Sequence, residues 1–351
     1  MENIKKQNIN GFIVIDKPAG PTSHQIDSWV RDITGEKRVG HIGTLDPNVS
    51  GVLVMALGKA TKLIDLVHEK PKEYISIMRL YSNVPEYDIH HVFDEFTGKI
   101  YQLPPVRSAV ARELRIRTIY NMDIIEIKDK LILFHVKCES GTYIRTLCTD
   151  MGYVIGTGAQ MADLRRISTG DFKEDMVHSL QELSDAVILK NKGKPELFNE
   201  LLLPMDFVFR DYPKIIVKKT AIKNIKNGSD IYPPGIITLI GKPVKGDKIA
   251  IYTEKNDLIA YGTMLVNEIK DLKVVDIDNV LVGGDEDNGK NIMVRGKNKR
   301  ENIPVQKFRK ELHGNFQHVK ERNKAGNRKR TFEKHSRPER NTSKIRKGKN
   351  K

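Results

Sequence analysis

Two cysteines and one tryptophan in 351 residues already exclude several classes of protein. Cys138 and Cys148 lie in apolar-periodic segments with no CxxC spacing and no neighbouring His, so neither a disulfide scaffold nor a zinc-ligand set follows, and a reducing compartment is expected. No apolar run approaches the roughly 20 residues that span a bilayer. The N-terminus offers only Phe12 to Ile15 before Asp16 and Lys17 interrupt it, so membrane and secretory readings drop out. Negative charge is scarce in one place only. Residues 285–351 hold 22 Lys+Arg against 8 Asp+Glu, a net of +14 out of +15, and the first 284 residues are nearly neutral.

The basic stretch contains three Phe (Phe308, Phe316, Phe332) and no Trp or Tyr. It cannot bury enough apolar surface to offset its ordering entropy, and it reads as a disordered tail. The other 284 residues suit two domains at roughly 100 to 200 residues each.

Along the chain, Phe12 to Ile15 is a short buried-strand candidate, and Pro18, Gly20 and Pro21 force a loop after it. Thr22 or Ser23 then caps a helix carrying Ile26, Val30 and Ile33, ended by Gly35. EKRVGHIGTLDPNVSG has neither helical nor strand periodicity and reads as an exposed, shaped loop. Val52 to Leu57 is strand-like, with a short amphipathic helix on Ala60, Leu63, Ile64 and Val67 behind it. In Lys72 to Leu80, alternation puts Tyr74, Ser76, Met78 and Leu80 on one strand face. Leu131 to Lys137 is a further strand. Thr142 is the expected cap of a helix with Ile144, Leu147, Cys148 and Met151 inward and Arg145 off that stripe. After Phe209 to Pro213 the texture changes to short β segments, a small all-β module ending near Gly283.

GHIGTLDP aims one carboxylate, Asp46, from a rigid turn, with His41 five residues before it. Such an Asp can serve as nucleophile or general base, or can bond its own backbone in an Asx turn. Arg145 reads either as a solvated helix residue or as a guanidinium partner for a carboxylate. Tyr74 reads first as a core aromatic and second as a stacking platform for a base. None of these residues decides the function by itself.

Together they form a pattern. VIDKPAGPTSH (14–24), GHIGTLDPNVSGVL (40–53), KEYI (72–75), QLPPVRSAV (102–110), SGTYIRTLCTDMG (140–152) and LRRISTGDF (164–172) stand in the order of the motifs of the TruB/dyskerin RNA pseudouridine synthases, which the chain resembles over residues 11 to about 283. The resemblance implies an α+β fold: a mixed, largely antiparallel catalytic domain with a small all-β PUA RNA-binding domain. The expected division is an N-terminal extension (1–10), the catalytic domain (11–210), the PUA domain (211–284) and the basic tail (285–351). It also implies an isomerase that turns uridine into pseudouridine. Asp46 would be the catalytic aspartate, Tyr74 the aromatic against the target base and Arg145 the partner of the aspartate. Leu164 would line the pocket, His41 would handle the extruded nucleotide, and Lys17 with Pro18 would support the catalytic loop on the substrate side. The reaction breaks the bond from ribose to ring nitrogen, turns the base and rejoins it through carbon. It transfers no external group and changes no redox state, so no cofactor and no metal are expected. It needs an ionised carboxylate, which an Asp supplies, held charged by an Arg in a dry pocket, and a base extruded from its stack.

RSAVARELRIRTIY, NVPEYDIHHVFDEFTGKI and the PUA-like module resemble the archaeal/dyskerin branch, which implies an H/ACA guide RNA, tRNA or rRNA substrates and small ribonucleoprotein partners. A cytoplasmic location, nucleolar in a eukaryote, is the matching expectation. Lys59, Lys62 and Arg107 to Arg117 are candidate RNA-gripping clusters, and the tail would add salt-sensitive phosphate binding. Two features depart from the branch: the first motif begins as early as Gly11, and the tail is long and basic. A non-catalytic RNA-binding or assembly protein is the alternative, and a ribosome-associated protein defined by its tail is a third reading.

Overall fold

Strands with apolar residues on both faces have to be covered on both faces, and two segments of this chain are of that kind. In Gly11–Lys17, Ile13 and Ile15 enter one apolar cluster while Phe12 and Val14 enter another. Ser50–Leu57 divides in the same way: Leu53, Met55 and Leu57 face one side, and Val52, Val54 and Ala56 the other. These two strands form the spine of the fold in a computed structural model that describes residues 9–105, 111–269 and 273–282.

The elements run β1 (Gly11–Lys17), α1 (Ser23–Thr34), β2 (Val39–Ile42), β3 (Ser50–Leu57), α2 (Ile64–His68), β4 (Lys72–Leu80), α3 (Glu86–Glu95), β5 (Gly98–Gln102), β6 (Arg115–Lys128), β7 (Leu131–Cys138), α4 (Ile144–Ile155), β8 (Ala159–Thr169), β9 (Phe172–Lys173), α5 (Leu180–Asn191) and α6 (Glu196–Leu201). Then follow β10 (Lys214–Val217), α7 (Lys219–Lys226), β11 (Ile236–Ile240), β12 (Lys248–Thr253), β13 (Leu258–Met264) and β14 (Val275–Val280). Among the described residues the first sheet is ordered β1-β3-β8-β4-β7-β6-β5, with β2 on β3 and β9 on β8. The second is ordered β11-β10-β12-β13-β14. Of the pairings whose direction is described, only β3 with β8 and β10 with β12 are parallel, so the architecture is α+β and largely antiparallel, as expected. Residues 103–105 and 111–114, of irregular backbone, fall with the first residue of β6, Arg115, in a separate compact unit, where Glu113 N donates to Ala111 O (2.9 Å).

Helices α1, α3, α4, α5 and α6 cover one face of the first sheet through residues such as Ile26, Phe93, Leu147, Ala186 and Phe198. The other face is covered by Phe207, Val208 and Phe209 together with Ala250, Tyr252, Tyr261 and Leu281 of the second sheet. β12 alternates in its turn. Ile249 and Ile251 point into the second sheet's own core, beside Ile215 and Ile225, while Ala250 and Tyr252 point towards the first.

Thr22 caps α1 in a capping box with Gln25, and Gly35 closes it in the left-handed region, as the sequence predicts. Three local expectations are corrected. Thr142 is not the cap of α4: its hydroxyl donates to Glu139 O (2.7 Å), and Tyr143 occupies the N-cap, clamped by the buried Gln102 amide. Residues 39–42, read as loop, form β2. They lack apolar alternation, and their strand character comes from pairing with β3 from Val39↔Leu57 to Ile42↔Val54, a tertiary effect. The β-rich module also carries a short helix, α7, on which Ala221, Ile222 and the buried Ile225 form an apolar stripe. The N-terminal extension up to residue 8, Arg107 and the basic tail lie outside the described residues.

Candidate active site

A reactive carboxylate on a turn is useful only if the turn cannot wander, and the turn bearing Asp46, between β2 and β3, is held from several sides. Leu45 and Val49 are buried in the main core, and Val49 N donates to Asp46 O (3.0 Å). Ser23, the first residue of α1, donates to Leu45 O (3.0 Å) and accepts from Leu45 N (2.9 Å). Gly20 N donates to Pro47 O (2.8 Å). Beneath the turn, Lys17 is fully buried and its Nζ donates to Pro18 O (2.9 Å), Pro47 O (3.0 Å) and Val49 O (2.8 Å). Burial lowers the Lys17 pKa, and the Asp46 carboxylate opposes that shift. All three Lys17 protons are spent on carbonyls of the loop segments that flank Asp46.

Arg145, in the first turn of α4, donates from Nη2 to Asp46 Oδ2, joining residues 99 apart in sequence. The two side chains are 53% and 55% exposed, so the dry pocket expected around the pair is not made by these residues alone. The carboxylate is open on one side.

Tyr74 lies on β4 opposite Arg166 of β8 and packs against the main core. Its hydroxyl lies close to the Arg166 guanidinium; burial raises the tyrosine pKa, against the pull of that guanidinium. Arg166 is almost completely buried, donating from Nε to Val52 O (2.8 Å) and from Nη2 to Gly43 O (2.8 Å). Nearby Lys72 is also buried. It donates to His68 O, Lys70 O (2.7 Å) and Ser140 Oγ (3.1 Å), and burial, reinforced by Arg166, lowers its pKa to about 8. Lys17, Lys72 and Arg166 thus place three buried cations, bonded to backbone carbonyls and hydroxyls, under the Asp46 turn and Tyr74. Leu164 is buried on β8, opposite Ser76. His41, on β2, has both ring nitrogens engaged, Nδ1 with Asp27 Oδ2 (2.8 Å) and Nε2 with Thr44 Oγ1 (3.1 Å).

The structure brings Asp46, Arg145, Lys17 and Tyr74 with its partner Arg166 into one system. Sequence reading passed over Arg166, Lys72, Ser23 and Asp27. A signal for Arg166 was available: consecutive strand residues point to opposite faces, so one of the pair Arg165–Arg166 has to point inward. Arg165 is the outward one, bonded to Asp16 (2.9 and 3.2 Å) and Glu174 (2.5 Å). Lys59 and Lys62 stand on the turn after β3, where Lys62 Nζ donates to Val280 O (3.0 Å) of the second sheet. Among the described residues no helix is long and apolar enough to cross a membrane.

The N-terminal domain of the TruB family of pseudouridylate synthases matches residues 31–144, the tRNA pseudouridylate synthase B C-terminal domain residues 145–210, and the PUA domain residues 213–281. A probable tRNA pseudouridine synthase B of Picrophilus torridus is 64% identical, over 92% of this chain and 93% of its own. The protein of the same name from Thermoplasma acidophilum is 51% identical, over 98% and 92%. Among solved structures, a Cbf5–Nop10–Gar1 complex contains a chain 40% identical, with a TM-score of 0.72 over 78% of this chain and 85% of that one. An H/ACA ribonucleoprotein bound to a substrate RNA containing 2'-deoxyuridine contains one 35% identical, with a TM-score of 0.71 over 81% and 92%.

Proposed function

We propose, on the premise that this chain belongs to the TruB family of pseudouridylate synthases, that it isomerises uridine to pseudouridine in tRNA and in rRNA, the latter as the catalytic subunit of an H/ACA guide ribonucleoprotein. The observation that carries the reading is the Asp46 carboxylate, open on one side, paired with Arg145 and fixed from below by Lys17 and Ser23. Asp46 is the catalytic carboxylate in this reading, and Arg145 holds it ionised and oriented. Half of the site is left open so that an extruded uridine, with the RNA around it, completes the enclosure. The cost of extrusion is a few kcal/mol. Tyr74, opposite Arg166, and Leu164 supply the surface against which the base rests, and His41 stands at the edge of the same turn.

Residues 11–210 are the proposed catalytic domain and 211–284 the PUA domain. A cleft of about 530 Å³ in the latter is lined by Lys219, Lys226 and Lys255 against Glu254 and Asp257, with apolar Ile222, Ile259 and Val282, so its charge is only slightly basic. The relatives' complexes support small partner proteins of the Nop10 and Gar1 kind and a guide RNA, and a cytoplasmic location fits archaeal relatives such as these.

The test is pseudouridine formation on a tRNA transcript and on an rRNA fragment, each with and without guide RNA and partner proteins. Asp46→Asn, which keeps the side chain's shape and removes its charge, is expected to abolish product on both RNAs while RNA affinity changes by less than about threefold. Retained activity in this variant would refute the assignment. Product on rRNA without guide and partners would refute the guided part alone.

A further inference from the structure

His24, Asp27 and His41 converge although the sequence separates them. His24 and Asp27 are three residues apart on α1 and share a helix face, and His41 arrives from β2. His41 Nδ1 lies 2.8 Å and His24 Nδ1 3.4 Å from the same oxygen, Asp27 Oδ2. The three donor atoms are all within 4.8 Å of one another, and the two imidazoles meet edge to face with centroids 5.0 Å apart. Asp27 is 8% exposed, and its second oxygen, Oδ1, is buried with no hydrogen-bond partner. A buried carboxylate with one idle oxygen carries an uncompensated desolvation cost, which the charge of a cation bound at its Oδ2 would offset.

We propose that His24, Asp27 and His41 form a binding site for a divalent transition metal, zinc being the ion that suits the donors. Two imidazole nitrogens and one carboxylate oxygen are borderline ligands of the kind zinc takes, whereas magnesium and calcium prefer oxygen alone. Metal–ligand bonds of about 2.0–2.1 Å in a tetrahedron put neighbouring donors roughly 3.3 Å apart, which the separations of 2.8 and 3.4 Å approach. The fourth position faces solvent beside His24, whose side chain is 83% exposed. With the metal on Nδ1, His41 has to carry its proton on Nε2 and donate it to Thr44 Oγ1, so the ion would fix one tautomer at the start of the Asp46 turn and tie α1 to β2.

The experiment uses the full chain, stripped of metal with a chelator, and titrates ZnCl2 calorimetrically, with Co2+ absorption in the visible as the geometry probe. The expected result is one ion per chain at this site, unaffected by millimolar Mg2+, with the intense bands of tetrahedral cobalt and a higher melting temperature in the loaded protein. His24→Ala and Asp27→Asn should each weaken binding by about tenfold or more. His24 is on the surface, so His24→Ala leaves the melting temperature of the metal-free protein unchanged. The chain has other histidines, including His313, His318 and His335 in the basic tail. Binding of undiminished affinity and stoichiometry in both variants would assign the ion to those and overturn the site, as would absence of binding at roughly 100 µM zinc. Neither readout depends on pseudouridine formation.

Discussion

Arg145 and Asp46 meet with both side chains about half exposed, a setting in which an ion pair contributes roughly 0–1 kcal/mol to stability. Stability does not account for the pair; the proposed function gives it a use, in orienting a carboxylate. Asp150, one helical turn and a little further along α4, shows the opposite balance. Burial alone raises its carboxyl to about 6. Since its folded pKa lies above the unfolded one, the native state binds more protons than the unfolded chain between about pH 4 and 6, and stability falls as pH rises through that window. Asp150→Asn should therefore stabilise the protein at pH 7, by on the order of 1 kcal/mol once solvent screening is allowed for, with the gain fading towards pH 4. Urea denaturation of both proteins at pH 4, 5, 6 and 7 checks this, and a difference that does not change with pH would contradict it. The roles proposed for Asp46 and Arg145 rest, on the sequence side, only on the ordered motifs. Taken singly, an Asp-Pro turn and an Arg off a helix stripe are compatible with ordinary turns and surfaces.

Among the elements, α1 and the Asp46 turn are coupled through one hydroxyl. Ser23 serves both the N–H and the C=O of Leu45, so Ser23→Ala leaves two buried backbone groups unmet. The expected cost is about 1–3 kcal/mol, measured as a shift in urea midpoint at constant m-value, accompanied by faster hydrogen exchange in residues 43–49. Unchanged exchange there would show that the turn is held without α1. The parallel contact of β3 with β8 depends on Gly51. Its φ is +103°, and a Cβ at that position would lie 2.1 Å from Arg166 O. Close backbone approach at Gly51 is what lets the buried Arg166 reach Val52 O. The helix ends and the long strands were legible because caps and alternation are local. β2 was not, because it lacks apolar alternation and its pairing with β3 makes it a strand; α7 carries Ala221, Ile222 and Ile225 at helical spacing, but over only eight residues inside a run of strands.

At the scale of the whole molecule, the two sheets share one apolar cluster. Phe12, Phe172 and Phe207 on one side run through Phe209 to Tyr252, Tyr261 and Leu281 on the other, with Tyr261 OH donating to Lys62 O (3.3 Å) and Lys62 Nζ to Val280 O. Elements that bury their faces against each other lose stability together. Hydrogen exchange followed through a urea series should therefore show β3 and β12 losing protection at the same midpoint. Phe209→Ala, which opens a cavity at the junction, should lower that common midpoint by an equivalent of about 3–5 kcal/mol. Two separate midpoints in the unaltered chain would show that the sheets unfold independently.

What the sequence determined by itself was the set of local and additive properties: a nearly neutral body with a basic tail, helix caps, alternating strands, and six motif blocks whose order identifies a family. These are carried by neighbours in the chain or by counts, so they can be read without coordinates. Only the tertiary structure decided which distant groups meet. Asp46 finds Arg145 across 99 residues, Lys17 reaches under a turn some 30 residues away, and His41 closes on His24 and Asp27. The reason is physical. Hydrogen bonds and metal coordination act over about 3 Å, and only the folding of the sheet and its helices brings groups so far apart in sequence within that distance.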